Sequence, residues 1–206
     1  YEAVPSKANL IYNKAFLRHD ESRRRNFLAA ANRGEVKVNS AALFPYEIVS
    51  RYNINRYNKT TVDENLEAAW KNLPDTVQGN GNTIAVADGT ASMSVRVGNT
   101  KVSALNVAES LAIYFAEHMS GEFQNKYITF SMKPQLVDFS SENTLVGKLR
   151  VARQHHEAAN TNIEAVFDLI LGTALANHMS QEDLPKYILI ISDMEFDSCV
   201  SYGSPR

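Results

Sequence analysis

The second half of the chain alternates between short apolar segments and long amphipathic ones, and this alternation limits the possible folds more than any other feature. Thr83 to Ala87 and Lys186 to Ser192 are short, mostly apolar runs of strand length, and we expect both to be buried. Between them, Ala104 to Met119 and Asn162 to Met179 repeat apolar residues at helical spacing. Such alternation is typical of a mainly parallel sheet with helices on both faces. The sequence therefore predicts an α/β fold for this half, with the strands Thr83–Ala87 and Lys186–Ser192 adjacent at the centre of the sheet.

Two further short segments complete the predicted sheet. Tyr127 to Met132 has the composition of a strand, and Leu136 to Phe139 is a shorter candidate at the edge of the sheet. The helix predicted over Asn162 to Met179 has the most regular pattern in the chain. We expect its core face to consist of the apolar residues Ile163, Val166, Phe167, Ile170, Leu171, Ala174 and Leu175.

A cluster of turn-forming residues separates this half from the first. Pro74 and the run Gly79 to Asn82 break the helical pattern, which predicts a helical segment over residues 1–78 and an α/β domain over residues 79–206. In the first segment we expect a helix that opens at Pro45, since the fixed φ of proline suits a first helical turn. Further helices are predicted around three apolar clusters, containing Leu10, Ile11, Ala15 and Phe16; Phe27, Leu28 and Ala31; and Val62, Leu66, Ala69, Trp70 and Leu73.

Charge and composition narrow the classes of function. A net charge of −2 and a pI near 6.2 argue against a chain that binds nucleic acid over its whole surface, because neutralising phosphates requires a basic surface. The cluster of Arg23, Arg24 and Arg25 is either a solvated helix face or a contact for RNA or a partner. We find neither an apolar run of membrane-spanning length nor a signal sequence, and Cys199 is the single cysteine. These features predict a cytoplasmic protein without membrane contact.

Acidic and hydroxyl side chains follow the predicted strands where ligands bind in open parallel sheets. Asp88, Thr90 and Ser92 follow the first strand at alternate positions, and in an extended chain they would point the same way. Asp193 follows the last strand, and Thr161 opens the most periodic helix. Oxygen ligands of this kind suit Mg²⁺, with Mn²⁺ or Ca²⁺ as alternatives. Asp88 and Thr161 also suit the simpler roles of turn or helix-cap residues.

The run Asp88-Gly89-Thr90-Ala91-Ser92 resembles the D-x-S-x-S signature of the metal-ion-dependent adhesion site in von Willebrand factor A domains. Thr161 matches the separate threonine of that site and Asp193 its late aspartate. The resemblance covers about residues 82–200 and implies a Rossmann-like fold with a bound cation. Three departures stand out: Thr90 replaces serine, Ala91 stands where close relatives often have glycine, and the sequence ends soon after Asp193. We therefore expect an incomplete A-type domain in these 206 residues.

Several longer segments are similar to the DUF2828 family, whose members pair a helical region with an A-type domain and are reminiscent of Ro-type RNA-binding proteins. The segments that carry this resemblance are KAFLRHDESRRRNFL, NSAALFPYEIV, NTNIEAVFDLIL and ISDMEFD.

The resemblance implies a non-catalytic module that binds an acidic group of a protein partner through its metal. The alternative is a Ro-like protein whose helical part binds RNA. A phosphatase of the haloacid-dehalogenase type is disfavoured, because Val86 occupies the position of its nucleophilic aspartate. His155 and His156 are disfavoured as a metal pair, since adjacent residues on a helix point about 100° apart.

Overall fold

The computed structural model describes residues 1–52, 54, 61–77, 82–156 and 162–193. These residues form a mixed α/β protein that divides into two compact units. One unit comprises Tyr1–Thr76 with Glu142–Lys148, and the other comprises the described residues between Val77 and Ser141 and from Leu149 onward. The segment Glu142–Lys148 joins the first unit although it lies far along the chain. In the ranges described, no helix is both long enough and apolar enough to cross a membrane.

The first unit is helical, as its apolar spacing predicts. Asp63 begins one of its helices by accepting hydrogen bonds from two backbone N–H groups of the first turn, and Pro45 opens another. Val62 precedes the helix to which the sequence assigned it, and its side chain is exposed. The helices are α1 (Ser6–Ile11), α2 (Asn13–His19), α3 (Glu21–Asn32), α4 (Pro45–Val49) and α5 (Glu64–Lys71).

Arg24 lies at the centre of this unit rather than on its surface. Its guanidinium is fully buried and donates to the side-chain oxygens of Asn9 (2.6 Å), Asn65 (2.7 Å) and Asn13 (2.9 Å). Burial lowers the pKa of Arg24 below its ordinary value. The rings of three aromatic residues surround the guanidinium: Tyr1, Phe16 and Phe27. As a correction to the sequence prediction, Arg24 cannot contact RNA or a partner in this structure, because its side chain is enclosed.

A second buried polar group, Glu67 of α5, holds residues 142–148 in the first unit. Its carboxylate accepts a hydrogen bond from the Tyr52 hydroxyl at 2.8 Å and from the backbone N–H groups of Leu145 (2.8 Å) and Val146 (3.2 Å). Those two N–H groups belong to the first turn of helix α7 (Leu145–Gln154), so Glu67 supplies the acceptor that a helix N-terminus needs. Burial, followed by the charge of Glu67, raises the pKa of Tyr52.

The second unit contains a four-stranded sheet with strands β1 (Thr83–Ala87), β2 (Lys126–Thr129), β3 (Leu136–Asp138) and β4 (Tyr187–Ile191). Their order is β3-β2-β1-β4. Strand β1 is parallel to β2 and β4, whereas β3 is antiparallel to β2. The predicted adjacency of the first and last strands is confirmed, with Thr83 opposite Tyr187 and Ala87 opposite Ile191. Strand β4 is the outermost of the described strands on its side, whereas the sequence placed it at the centre.

Helices cover both faces of this sheet. Helix α8 (Ile163–Ala176) packs Val166 and Ile170 against β1 and β2 in a hydrophobic core cluster of the unit. Helix α6 (Ala104–His118) packs against the same two strands, and residues from Leu149 to Gln154 of α7 also belong to this unit. Ser103 caps α6 by accepting from the Asn106 N–H, and the side chain of Asn162 caps α8. The residues that directly follow β1 and β4, Asp88 and Ser192, lie outside the helices.

Helix α8 buries only part of the apolar face that its sequence predicts. Val166, Ile170 and Ala174 are buried. Four residues expected in the core are instead 43–68 % exposed: Ile163, Phe167, Leu171 and Leu175. Strand β4 is likewise half-buried along most of its length rather than fully enclosed. The prediction for these residues was wrong because helical spacing reveals an apolar arc without showing how much of it a neighbour covers.

Candidate metal-binding site

The loops after β1 and β4 meet at the carboxyl edge of the sheet. Ala87 and Ile191 end the two strands directly opposite each other. The pairing continues one step further, since the Asp88 N–H donates to the Ile191 carbonyl at 2.9 Å. Asp193 follows two residues after Ile191 and is half-buried. Parallel pairing thus brings both predicted acidic ligands to the same edge of the sheet.

The side chain of Asp88 is held firmly at this edge. Asp88 is only 3 % exposed, and its Oδ1 accepts a hydrogen bond from the Thr90 N–H at 2.9 Å. Its Oδ2 accepts from the Ser192 hydroxyl at 2.9 Å. Each carboxylate oxygen keeps a further lone pair for another contact. Ser192 is therefore part of the site, although the sequence indicated only its neighbour Asp193.

The hydroxyl groups of Thr90 and Ser92 form a hydrogen bond with each other, with their oxygens 2.8 Å apart. A 3₁₀ turn over Ala91–Ser94 causes this proximity, whereas the sequence attributed it to an extended chain. In an octahedral shell with metal–oxygen distances of about 2.0–2.1 Å, neighbouring ligand oxygens are separated by about 2.9 Å. The separation set by this hydrogen bond would also suit adjacent Mg²⁺ ligands, and the structure brings Asp88, Thr90 and Ser92 together.

The end of β2 contributes a third loop to this edge. Phe130 donates its N–H to the Ala87 carbonyl at 2.8 Å, and the Ser131 carbonyl accepts from the Asn162 N–H at 3.2 Å. The Ser131 hydroxyl is buried and has no hydrogen-bond partner in the parts of the chain described, which is unusual for a buried polar atom. Thr161, the remaining predicted ligand, precedes Asn162 but lies outside the described residues.

The chemistry of this edge suits a hard cation bound by oxygen. Within the described ranges, no group of three or more His, Cys, Asp or Glu side chains could hold a metal ion. A metal site here therefore depends on hydroxyl oxygens together with carboxylates. This donor set matches Mg²⁺ or Mn²⁺, and it does not match a zinc site built from Cys and His.

A buried ionic cluster lies behind the loop that carries Asp88. Glu109 of α6 is buried and pairs with Arg153 through two hydrogen bonds of 2.7 and 2.8 Å. Its Oε1 also lies 3.3 Å from His156 Nε2. Burial lowers the pKa of His156, an effect that the charge of Glu109 opposes. The sequence did not indicate this cluster, which we name the Glu109 cluster after its three residues Glu109, Arg153 and His156.

The Glu109 cluster and the Asp88 loop enclose a small cavity. Its lining includes Asp88, Gly89, Tyr127, Glu109 and His156, and its volume of about 10 Å³ is close to that of a single water site. Tyr127 is buried there, and burial followed by the nearby charge of Glu109 raises its pKa. The cavity is too small for an organic ligand, and its lining joins the Glu109 cluster to the Asp88 loop.

Of the three arginines that the sequence indicated as a contact for RNA or a partner, two remain candidates. Arg23 and Arg25 are exposed, and each lies near an acid of the same segment, Asp20 at 3.9 Å and Glu21 at 2.8 Å respectively. Exposed pairs of this kind contribute little to stability. The RNA-binding alternative therefore rests on these two residues without Arg24.

Comparison with known families classifies most of the chain. Residues 82–204, which include the whole sheet and the candidate site, match DUF7788, a domain of unknown function. The chain belongs to the DUF7788 family. Residues 1–83 match DUF2828, also a domain of unknown function, which confirms the predicted likeness to that family for the helical region. These matches do not show an A-type domain, and that finer resemblance stays a prediction for the DUF7788 domain.

A viral protein is similar to most of this DUF7788 chain. It is uncharacterized protein L728 of Acanthamoeba polyphaga mimivirus, which is 28% identical over 180 residues. The aligned part is 86% of the present chain and 29% of the viral protein. The chain thus spans less than a third of that relative's length. No solved structure matches the chain.

Proposed function

We propose that the carboxyl edge of the sheet in this DUF7788 protein binds a divalent cation of the Mg²⁺ type and, through it, an acidic group of a protein partner. The main support is the arrangement of Asp88, Thr90 and Ser92. A buried carboxylate lies beside two hydroxyl groups that are hydrogen-bonded at 2.8 Å, and this separation also suits neighbouring ligands in an octahedral shell.

Asp88, Thr90, Ser92, Thr161 and Asp193 are the proposed ligands, and they follow the pattern of an A-type adhesion site. Their hydroxyls are neutral, so Asp88 and Asp193 supply the negative charge that balances the cation. When bound, the cation would supply a Lewis-acidic position that accepts a carboxylate oxygen. A Glu or Asp side chain of a partner would fill a position otherwise taken by water, since Mg²⁺ usually retains water ligands. The order β3-β2-β1-β4 agrees with a Rossmann-like A-type domain.

Titration calorimetry with Mn²⁺ and Mg²⁺ tests this proposal directly. We expect weak binding of either ion alone and tighter binding in the presence of acetate, the smallest carboxylate probe of the open position. Thr161→Val should weaken binding only modestly, because water can replace one neutral ligand. If neither ion releases heat nor shifts the unfolding temperature of the wild-type protein, the proposed function is wrong.

The proposed site is not catalytic, and this leads to a second expectation. Val86, two residues before Asp88, is a buried strand residue without a nucleophilic atom, so no aspartyl-phosphate can form there. We expect no hydrolysis of p-nitrophenyl phosphate or of nucleotides above background, with Mg²⁺ or Mn²⁺ present. Metal-dependent turnover that disappears in Asp88→Asn would contradict this expectation and favour a phosphatase.

A further inference from the structure

The Asp88 loop is held from two sides, and the sequence indicated only one of them. On one side, Asp88 accepts hydrogen bonds from the Thr90 N–H and the Ser192 hydroxyl. On the other side, the ring of His156 lies directly against Gly89. A Cβ atom on Gly89 would lie 2.8 Å from His156 Cδ2 and 3.4 Å from its Cα. The residue between two proposed ligands is therefore glycine because the histidine leaves no room for a side chain.

The ring of His156 also contacts the rest of the Glu109 cluster. Its Nε2 lies 3.3 Å from Glu109 Oε1, while Arg153 binds both oxygens of the same carboxylate. The carboxylate is buried and comes from α6, whereas Arg153 lies in the last turn of α7. Two hydrogen bonds from a planar guanidinium fix the orientation of a carboxylate closely. Glu109 therefore has little freedom to move, and its carboxylate is a fixed neighbour 3.3 Å from the ring of His156.

We infer that His156, oriented by Glu109 and Arg153, is a positioning residue that sets the conformation of the Asp88 loop and thereby its affinity for a cation. The part concerning affinity rests on the proposed function, whereas the part concerning the loop does not. Groups that orient metal ligands from outside the coordination shell typically change affinity by about 10–100-fold. His156 would act in this way through Gly89, without touching the metal.

The experiment compares His156→Ala with His155→Ala. His155 is the adjacent histidine and a suitable control, because its ring contacts Gln135 at 2.8 Å. Two properties are measured: affinity for Mn²⁺ by calorimetry, and hydrogen exchange of the Thr90 amide, which donates to Asp88. In His156→Ala we expect about tenfold weaker Mn²⁺ binding and faster exchange at Thr90. His155→Ala should resemble the wild type in both.

A double-mutant cycle separates positioning from a general loss of stability. Gly89→Ala should also weaken Mn²⁺ binding, because its Cβ displaces the loop from the His156 ring. In Gly89→Ala/His156→Ala the ring is absent and the added methyl group has space, so the double variant should bind no more weakly than the worse single variant. The inference is overturned if the effects of the two substitutions on Mn²⁺ affinity multiply in the double variant. It is also overturned if His156→Ala is indistinguishable from His155→Ala in both properties.

The two measurements distinguish failure of the proposed function from failure of the inference about His156. If the wild-type protein binds no Mn²⁺, the proposed function fails, and exchange at the Thr90 amide alone decides whether His156 positions the loop. Should His156→Ala not fold, Gly89→Ala still tests the contact, since the same clash would accelerate exchange at Thr90 with His156 in place. Unchanged exchange in Gly89→Ala would then overturn the inference.

Discussion

In an Asp88→Ala variant we expect Mn²⁺ and Mg²⁺ binding to fall by more than about 100-fold, and metal-dependent capture of an acidic partner to disappear. Loss of a group outside the coordination shell typically costs about 10–100-fold, and a buried carboxylate that binds the cation directly should cost more. The variant also loses the acceptor for the Thr90 N–H and the Ser192 hydroxyl. We therefore expect a loss of stability of about 1–3 kcal/mol as well.

Asp88→Asn is the matched variant that separates charge from folding. Its side chain keeps an oxygen that can accept from the Thr90 N–H and differs mainly in charge. We expect Asp88→Asn to unfold at a temperature closer to that of the wild type than Asp88→Ala does. Metal binding should be lost in both variants. Wild-type affinity in either variant, measured by calorimetry, would show that the metal site has been assigned to the wrong residues.

Replacing Arg24 by methionine should destabilise the helical unit by about 3–5 kcal/mol. The amide oxygens of Asn9 and Asn65 are buried with it, and that of Asn13 is partly so. Each acceptor left without a donor costs about 1–3 kcal/mol, offset in part by no longer burying a cation. The effect should be seen in urea unfolding followed by far-ultraviolet circular dichroism.

Arg25→Met provides the control, because the same substitution is made one residue later on the same helix. Arg25 is exposed and pairs with Glu21 at 2.8 Å, so its loss should change the free energy of unfolding little. Arg24→Lys should also be strongly destabilising, since one ammonium group cannot reproduce the planar fork that reaches three asparagines. Equal unfolding midpoints for Arg24→Met and Arg25→Met would refute the structural role of the buried guanidinium.

Much of the strand arrangement could be predicted because it depends on local pattern. The bounds of β1 agree with the predicted Thr83 to Ala87, and β4 differs by one residue at each end from the predicted Lys186 to Ser192. Apolar runs of strand length leave few alternatives when helices separate them. The extent of burial could not be predicted in this way, since it depends on which neighbours cover a face, as the exposed Phe167 and Leu171 show.

The candidate site could be predicted only where its residues are close in sequence. Asp88, Thr90 and Ser92 form one motif, and their proximity follows from a single turn. The bond from Ser192 to Asp88 joins residues 104 positions apart, and the Glu109 to Arg153 pair spans 44 positions. Such contacts depend on strand register and helix packing, which no local pattern specifies. Arg24 illustrates the same limit, because three adjacent arginines suggest a surface and the structure buries one of them.

In the part of the chain that the structure describes, the exposed arc of α8 and the outermost strand β4 have a consequence for aggregation of the protein. Phe167, Leu171 and Leu175 are exposed together, and the β4 sequence YILII has neither charge nor proline. An apolar strand of high β-propensity at the margin of a sheet is a template for intermolecular pairing. Salts that strengthen apolar association would promote this pairing. The protein should therefore be purified at low ionic strength and modest concentration. Under these conditions the heats measured with Mn²⁺ report on ion binding rather than on aggregation.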